Sequence, residues 1–387
     1  MAIAFWLSIF LVFYTFFGYG ILLFFIVRLR ILLKGRRAIP NNGGNYPTLT
    51  LVVAAYNEEA CMHEKIKNTL ELEYPAGKAK FLFVTDGSTD STPDIIAKCP
   101  QIKLMHKPGR SGKIAAMERA MHEVDTEIVV FTDANTTLNK KALINIARHY
   151  ADPKVGAVSG EKRVNIEEVA DATAGEGFYW KYESKLKTWD SELYSVVGAA
   201  GELFSVRTAL YEPVQPDTIL DDFMISLLVA KKGYRIIYEP AAYACESGSE
   251  SIQEELKRKI RIAAGGIQSI VRLKALLNPF NNFVLCFQYV SHRVLRWTIT
   301  PFLMILALLL NIPLALGGNK LYIVMLALQI LFYCSSALGW LLEKRQVRIK
   351  ALFIPYYFCM MNYAVIAGIR RYMLKKQAVT WEKAKRK

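Results

Sequence analysis

Three stretches of this 387-residue chain, 2–27, 298–319 and 321–342, carry no charged side chain. Each is long enough to cross a hydrocarbon core of roughly 30 Å as a helix rising about 1.5 Å per residue. Lipid offers no hydrogen bonds to a backbone, so such stretches must be helical if they cross. A fourth uncharged stretch, 351–369, is shorter and is interrupted by Pro355 and several tyrosines. The first stretch lacks an early basic region and a small-residue cleavage site, so it reads as a retained anchor and not as a cleaved leader. It runs straight into Arg28, Arg30, Lys34, Arg36 and Arg37, which by the positive-inside rule place the following domain in the cytoplasm of a multi-pass cell-membrane protein.

The net charge of +15 gathers beside the apolar stretches, where it suits the anionic headgroups of a lipid bilayer. No nucleic-acid-binding module is recognisable, so no nucleic-acid partner is expected. The cysteines, at 61, 99, 245, 286, 334 and 359, lie far apart without a C-x-x-C pair and read as thiols in a reducing compartment. The histidines show no paired metal spacing and read as structural. Trp180, Tyr182, Leu186 and Trp189 read as a buried or interfacial helix face.

The order of patterns divides the chain into an anchor (1–30), a basic and Gly/Asn-rich linker (31–46), a soluble domain (47–250), interfacial helices (251–297), a second membrane region (298–374) and a basic tail (375–387). Within the domain, short apolar runs alternate with helical spacing, the pattern of an α/β fold with a parallel sheet covered by helices. Strands are expected at Leu49–Ala55, Phe81–Thr85 and Glu127–Thr132. A helix should carry Met62, Ile66 and Leu70; another should start with Thr92 as cap and Pro93 as first residue, and a third should cover Lys141–Tyr150.

Polar motifs stand immediately after these three strands, where open parallel sheets bind ligands. They are Tyr56-Asn57-Glu58, Asp86-Gly87-Ser88 and Asp133-Ala134-Asn135. Each alone is explained by turn chemistry; the set is more specific. Asp133 and Asn135 offer hard oxygen ligands suited to Mg²⁺ or Mn²⁺ shared with a diphosphate. The loop Gly109-Arg110-Ser111-Gly112-Lys113 puts cations and backbone amides at a helix start, a setting for phosphate oxygens, without the spacing of an ATPase loop. Asp221 and Asp222 open a later helix, either as dipole-complementing caps or as a general base. The small residues Gly198, Ala200 and Gly201 would let a sugar acceptor approach the backbone.

From 251 to 277, Ile252, Leu256, Ile260, Ala263, Ile267 and Ile270 recur at helical spacing among basic residues, the pattern of an amphipathic helix at a membrane surface, though an ordinary surface helix shares it. Residues 283–297 are expected to lie along the same interface. A hairpin of 298–319 and 321–342 returns the chain to the cytoplasm, but a crossing by 351–369 would export the basic tail. That stretch is therefore expected to be re-entrant or paired with an extra crossing upstream.

Taken in order, PTLTLVVAAYNEE (47–59), TDGSTD (85–90), GRSGK (109–113), FTDANT (131–136), GAAGELFSVR (198–207) and LDDF (220–223) resemble glycosyltransferase family 2, in the branch of the poly-N-acetylglucosamine, cellulose and hyaluronan synthases. The resemblance implies a glycosyltransferase-A-type, Rossmann-like domain with a mixed, mostly parallel sheet. It also implies an inverting, metal-dependent transfer from a UDP-sugar to a glycan or lipid-linked acceptor in polysaccharide synthesis. Tyr56, Glu58 and Asp86 would contact the nucleoside, Lys113 the diphosphate, with Arg261 facing it, and Arg110 and Arg258 would belong to the same nucleotide-sugar site. Asp133 and Asn135 would hold Mn²⁺ or Mg²⁺, and Asp222 would be the base with Asp221 beside it. Processive relatives carry Q-x-x-R-W where this chain has Arg258-Lys259-Ile260-Arg261-Ile262, so the Gln and the Trp platform are missing. A non-processive glycolipid enzyme and an inactive transferase-like scaffold are the alternatives. With three or four spans, a polymer channel would call on export or accessory membrane subunits.

Overall fold

The computed structural model describes residues 1–38, 43–164, 174–246, 251–345, 347 and 349–375; part of the 31–46 linker and nearly all of the basic tail lie outside the described residues. Its centre is an eight-stranded sheet. The strands are β1 (Leu49–Ala55), β2 (Ala79–Asp86), β3 (Lys103–Lys107), β4 (Ile128–Asp133), β5 (Thr137–Leu138), β6 (Val155–Val164), β7 (Leu203–Arg207) and β8 (Arg235–Glu246). Their order is β3-β2-β1-β4-β7-β6-β8-β5. β1 reads as an unbroken apolar run because both of its faces are covered: Val52 packs into one core, and Leu51 and Val53 into the other. The parallel half is the one the sequence pattern implies. β7 pairs antiparallel with both β4 and β6, which makes the sheet mixed.

Element starts differ locally for identifiable reasons. The helix Thr92–Ala97 is capped by Ser91, one residue earlier than expected. The Thr92 hydroxyl instead accepts the Glu58 backbone N–H at 2.8 Å, and Asp90 accepts the Thr92 N–H at 3.0 Å. The expected helix to Tyr150 is Ala142–Ala147 followed by a 3-10 turn, Arg148–Ala151.

Outside the domain, Ala2–Lys34, Lys320–Lys344 and Lys350–Met373 are long and apolar enough to cross a membrane. The first is helical throughout, with one π-turn at Tyr14–Gly18. Its C-terminal half lies on the helix Ala174–Leu193. Arg30 pairs with Glu192 at 2.6 Å, and Arg37 donates to the Leu193 carbonyl at 3.0 Å. These two cations were expected at lipid headgroups; they tie the anchor to the domain instead, because a carboxylate and a helix end lie within reach. Tyr182, whose hydroxyl donates to the Phe16 carbonyl, and Leu186 and Trp189 form the helix face that meets the anchor; the side chain of Trp180 lies outside the described residues.

The stretch 298–319 is not a full span of its own. Helix Thr300–Leu316 has 17 residues and bends by 60° from the segment Phe283–Trp297. Pro301 has no N–H to continue the ladder, and the Thr298 and Thr300 hydroxyls donate to the Val294 and Leu295 carbonyls at the break. The bend thus falls here and not within 351–369, which is one continuous helix. That last helix runs alongside the amphipathic helix Ile252–Arg272 in the same direction: Phe353 and Tyr357 meet Ile252 and Leu256, and Gly368 meets Ala263.

Candidate active site

Parallel register aligns the strand ends that carry the motifs. Ala54 of β1 stands beside Asp133 of β4, and Ala55 beside Thr85 of β2. Tyr56, Asp86 and Asp133 therefore emerge on one edge of the sheet. The Arg110 guanidinium stacks over the Tyr56 ring, 3.9 Å from its centroid, which leaves a flat cationic and aromatic surface half open to solvent. Glu58 is half-buried at the start of the next helix. Asp86 differs from expectation. Its Oδ2 accepts the backbone N–H of Ser111 and of Gly112, both at 2.6 Å, and its Oδ1 faces Arg119 at 3.3 Å. Buried with every oxygen engaged, it holds the 109–113 loop in place; a carboxylate so committed has little left for a nucleoside.

That loop starts the helix Lys113–Met121 and aims Lys113 between two carboxylates. Its Nζ lies 2.9 Å from Asp133 Oδ1 and 3.3 Å from Asp221 Oδ2. Burial alone would lower the pKa of Lys113; Asp133 and then Asp221 more than offset this and hold it above the ordinary lysine value. Asp221 Oδ2 is buried and receives no hydrogen bond of good geometry. A half-buried Asp133, Asn135 two residues on and this under-satisfied oxygen form a hard-oxygen donor set that fits a divalent cation sharing ligands with phosphates. Among the described residues no group of three or more His, Cys, Asp or Glu side chains forms a metal cage. Beneath Asp133 lies Lys65, which the sequence did not flag. It is 1 % exposed, and its ammonium donates to the Thr136 carbonyl at 2.8 Å; burial lowers its pKa to about 7. It braces the turn that carries Asp133 and Asn135.

Asp222 follows in the first turn of the helix Asp221–Lys231. Burial and then the neighbouring Asp221 carboxylate push its pKa up to about 7, against the pull of Lys113. A β-carbon on Gly201 would lie 3.2 Å from Asp222 Oδ2, so a small residue there keeps the carboxylate reachable. Ala200 and Gly201 line the cavity beside Asp222, but Gly198 does not. At φ +84° it adopts a left-handed conformation, and a β-carbon there would fall 2.1 Å from the Phe223 ring. Its service is to Phe223 packing and not to acceptor contact.

Lys113, Asp133, Asp221 and Asp222 stand at one end of a cavity of about 720 Å³. Arg258, Arg261 and Ile262 line it from the amphipathic helix. Burial lowers the pKa of Arg261, with Asp221 opposing. Arg258 is shared with Glu255, which accepts its Nε at 3.0 Å. The residues that carry the strand-edge motifs and the cation loop fall within 50–214, which the model of the glycosyl transferase family 2 matches; the Asp221–Lys231 helix lies beyond that match. The chain carries a family 2 glycosyltransferase domain.

Relatives of this glycosyltransferase domain differ in product. It is 29% identical over 243 residues to the beta-monoglucosyldiacylglycerol synthase of a Nostoc species, covering 58% of this chain and 50% of that protein. It is 25% identical over 235 residues to the poly-beta-1,6-N-acetyl-D-glucosamine synthase of Staphylococcus aureus, covering 58% of this chain and 56% of that protein. The chain thus spans about half the length of the curated relatives it matches. Among solved structures, a mannosyltransferase from Pyrobaculum calidifontis, in complex with GDP-Man and Mn²⁺, superposes with a TM-score of 0.71 at 24% identity, over 97% of this chain and 100% of that one. The fold of nearly the whole chain, the long apolar helices included, is therefore a known one.

Several residues of the transferase cavity carry no sequence signal. Trp297 lines it and packs 5.4 Å from the Phe223 ring, so an aromatic wall is present although position 262 is Ile. Behind it, Glu183 binds Arg293 at 2.7 Å and Arg296 at 3.2 Å, and His292 lies 2.6 Å from Asp190. Tyr19 of the anchor donates to the same Asp190. This knot joins residues 102 to 171 positions apart in sequence, and no local spacing announces it.

Proposed function

We propose that the chain is a membrane-bound, inverting glycosyltransferase with its catalytic domain on the cytoplasmic side. It would move a sugar from a nucleotide-sugar donor, a UDP-sugar in the first instance, to a glycan or lipid-linked acceptor. The observation that carries this is Asp222: a carboxyl raised to about 7, next to a small-residue wall, at the end of a cavity that also presents Lys113 and Asp133. A base poised near neutral pH suits proton removal from a hydroxyl.

In the reaction, Tyr56 and Arg110 offer the stacking surface for the base, with Glu58 at its edge, and Lys113, Arg258 and Arg261 face the diphosphate. The acceptor oxygen bonds to the anomeric carbon while its proton passes to Asp222. The bond from that carbon to the diphosphate oxygen breaks with its electron pair leaving on the nucleotide, so the configuration inverts without a covalent sugar-enzyme step. Mn²⁺ or Mg²⁺ at Asp133 and Asn135, when bound, supplies positive charge to the departing diphosphate. Asp221 and Lys113 keep that charge balanced when the diphosphate has left.

For topology, the last helix is tied along its length to the amphipathic interface helix, which supports placing both at the membrane surface. Crossings by the anchor, by the bent 283–316 segment and by 320–344 would then return the tail to the cytoplasm and remove the conflict in charge. The purified full chain, given a panel of UDP- and GDP-sugars, should release nucleotide only with Mn²⁺ or Mg²⁺ and stop on chelation. Failure of every donor to give release in native lipid extract would sink the proposal.

A further inference from the structure

The cavity has a second end, away from the strand motifs, where its chemistry changes. Phe16 and Phe17 of the anchor and Phe353, Ile354, Tyr357 and Phe358 of the last helix form its walls. These belong to helices long and apolar enough to lie in a membrane, so this part of the wall is apolar.

Lys187 stands in the wall of the same cavity. It is 7 % exposed and makes no hydrogen bond or ion pair with any described residue; the Tyr238 ring centroid lies 5.6 Å from its ammonium. Of the carboxylates in its field, Glu183 is committed to Arg293 and Arg296 and Glu202 to Lys162 at 2.6 Å, while Asp222, the proposed base, acts on it most weakly of the three. Burial lowers its pKa, only partly offset by Glu183. A buried cation without a counter-ion is costly and is kept where a ligand supplies the missing charge. The whole cavity carries the same imbalance, with nine basic and five acidic side chains on its walls. A nucleotide diphosphate at the Lys113 end leaves part of that surplus uncompensated, and Lys187 lines the same cavity as Asp222.

We propose that the membrane-side end of the cavity holds a membrane lipid whose head group carries a phosphate, with Lys187 as its counter-ion, and a hydroxyl, which bonds to the anomeric carbon as its proton passes to Asp222 and the nucleotide diphosphate leaves. This rests on the glycosyltransferase reading above and names its acceptor class. A neutral diacylglycerol would fit the apolar walls but leave Lys187 uncompensated. A soluble glycan would meet phenylalanine and aliphatic side chains where it needs polar partners.

Phosphatidic acid and diacylglycerol with identical chains differ only in the phosphate. With the full-length chain in neutral detergent, phosphatidic acid should raise the melting temperature by about 3 °C or more, and diacylglycerol by less than half of that. Inorganic phosphate alone should leave it unmoved. Lys187→Met should lose the excess of phosphatidic acid over diacylglycerol, Lys187→Arg should keep it, and Phe358→Ala should weaken both lipids. Equal stabilisation by the two lipids in the unmodified chain, or an undiminished excess in Lys187→Met, would overturn the proposal. Inorganic phosphate matching phosphatidic acid would overturn the lipid part by assigning the site to a soluble anion. UDP or GDP with Mn²⁺ is added to parallel samples: nucleotide stabilisation without lipid discrimination sinks this inference alone, and its absence counts against the donor reading.

Discussion

The two ends of the cavity are built on different principles. At the sheet end, the functional groups sit one to three residues past buried strands, and parallel pairing delivers them to a common edge: Tyr56, Asp86 and Asp133 need only the register of β1, β2 and β4. At the membrane end, the wall comes from residues 16–17, 187, 293–297 and 353–358, which no short motif joins. On the function proposed above, a nucleotide diphosphate would be recognised by backbone and loop, a local and reusable solution, and the acceptor by packing between the domain and the apolar helices. This fits relatives whose names record such different products as a glucosyldiacylglycerol and a poly-N-acetylglucosamine.

The largest effect should come from the residue that belongs to both ends. Asp222→Asn is expected to lower turnover by roughly 10²–10⁴. Folding should not suffer, because the carboxyl's folded-state pKa lies near 7 against an ordinary 3.8. A pKa raised by folding means the charged form is disfavoured in the fold, so the native state loses stability as pH climbs from about 4 to about 7. The Asn variant escapes that loss and should melt higher than the parent at pH 7.5, with no difference at pH 4. Turnover of the parent should rise with pH through about 7 as Asp222 gives up its proton. Calorimetry at the two pH values together with a pH–rate profile checks both signs; turnover within tenfold of the parent would remove Asp222 from the base role.

Next in size is the metal side of the sheet end. Asp133→Ala should cost about 10² in turnover, since it removes the carboxylate expected to bring the metal to the diphosphate. Asn135→Asp should act in the opposite direction on metal affinity. A second carboxylate adds charge to the donor set, and the Mn²⁺ concentration for half-maximal release should fall about tenfold. An unchanged metal requirement in both variants would move the metal away from this turn.

How far the sequence could be read follows from the same division. The parallel strands, the amphipathic helix and the groups at Lys113, Asp133 and Asp222 were legible because each depends on local periodicity or on a residue type at a strand end. Asp86 was legible as important but not in its job, because only the folded loop brings Ser111 and Gly112 amides to its oxygen. Gly198 read as a place for sugar, whereas its positive φ and the Phe223 ring against it make it a packing requirement. Arg30 and Arg37 read as membrane charge, yet Glu192 and Leu193 reach them across about 160 positions. Lys187, Trp297 and the Glu183 knot were illegible altogether, since a buried cation on a charge-rich helix looks in sequence like a solvated one, and a cavity-lining Trp like any other apolar residue.

The smallest effect is also the sharpest test of the division. Tyr56 and Trp297 are both aromatic residues beside an arginine, Arg110 at 3.9 Å and Arg293 at 5.6 Å. If the two ends are separate sites, their alanine variants should fail in different assays. Stacking with a cation behind the ring is worth about 1 kcal/mol, or roughly a fivefold change. Tyr56→Ala should weaken nucleotide binding by about that factor and leave the acceptor KM alone. Trp297→Ala should raise the acceptor KM by a similar factor while titration calorimetry with UDP or GDP and Mn²⁺ gives the parental affinity. The Trp297 ring also packs on Phe223, whose neighbour is Asp222, so some loss of turnover should accompany the change in KM. A Trp297 variant that weakens nucleotide binding as much as Tyr56→Ala would mean that the cavity is one continuous donor site, and the acceptor would have to enter elsewhere.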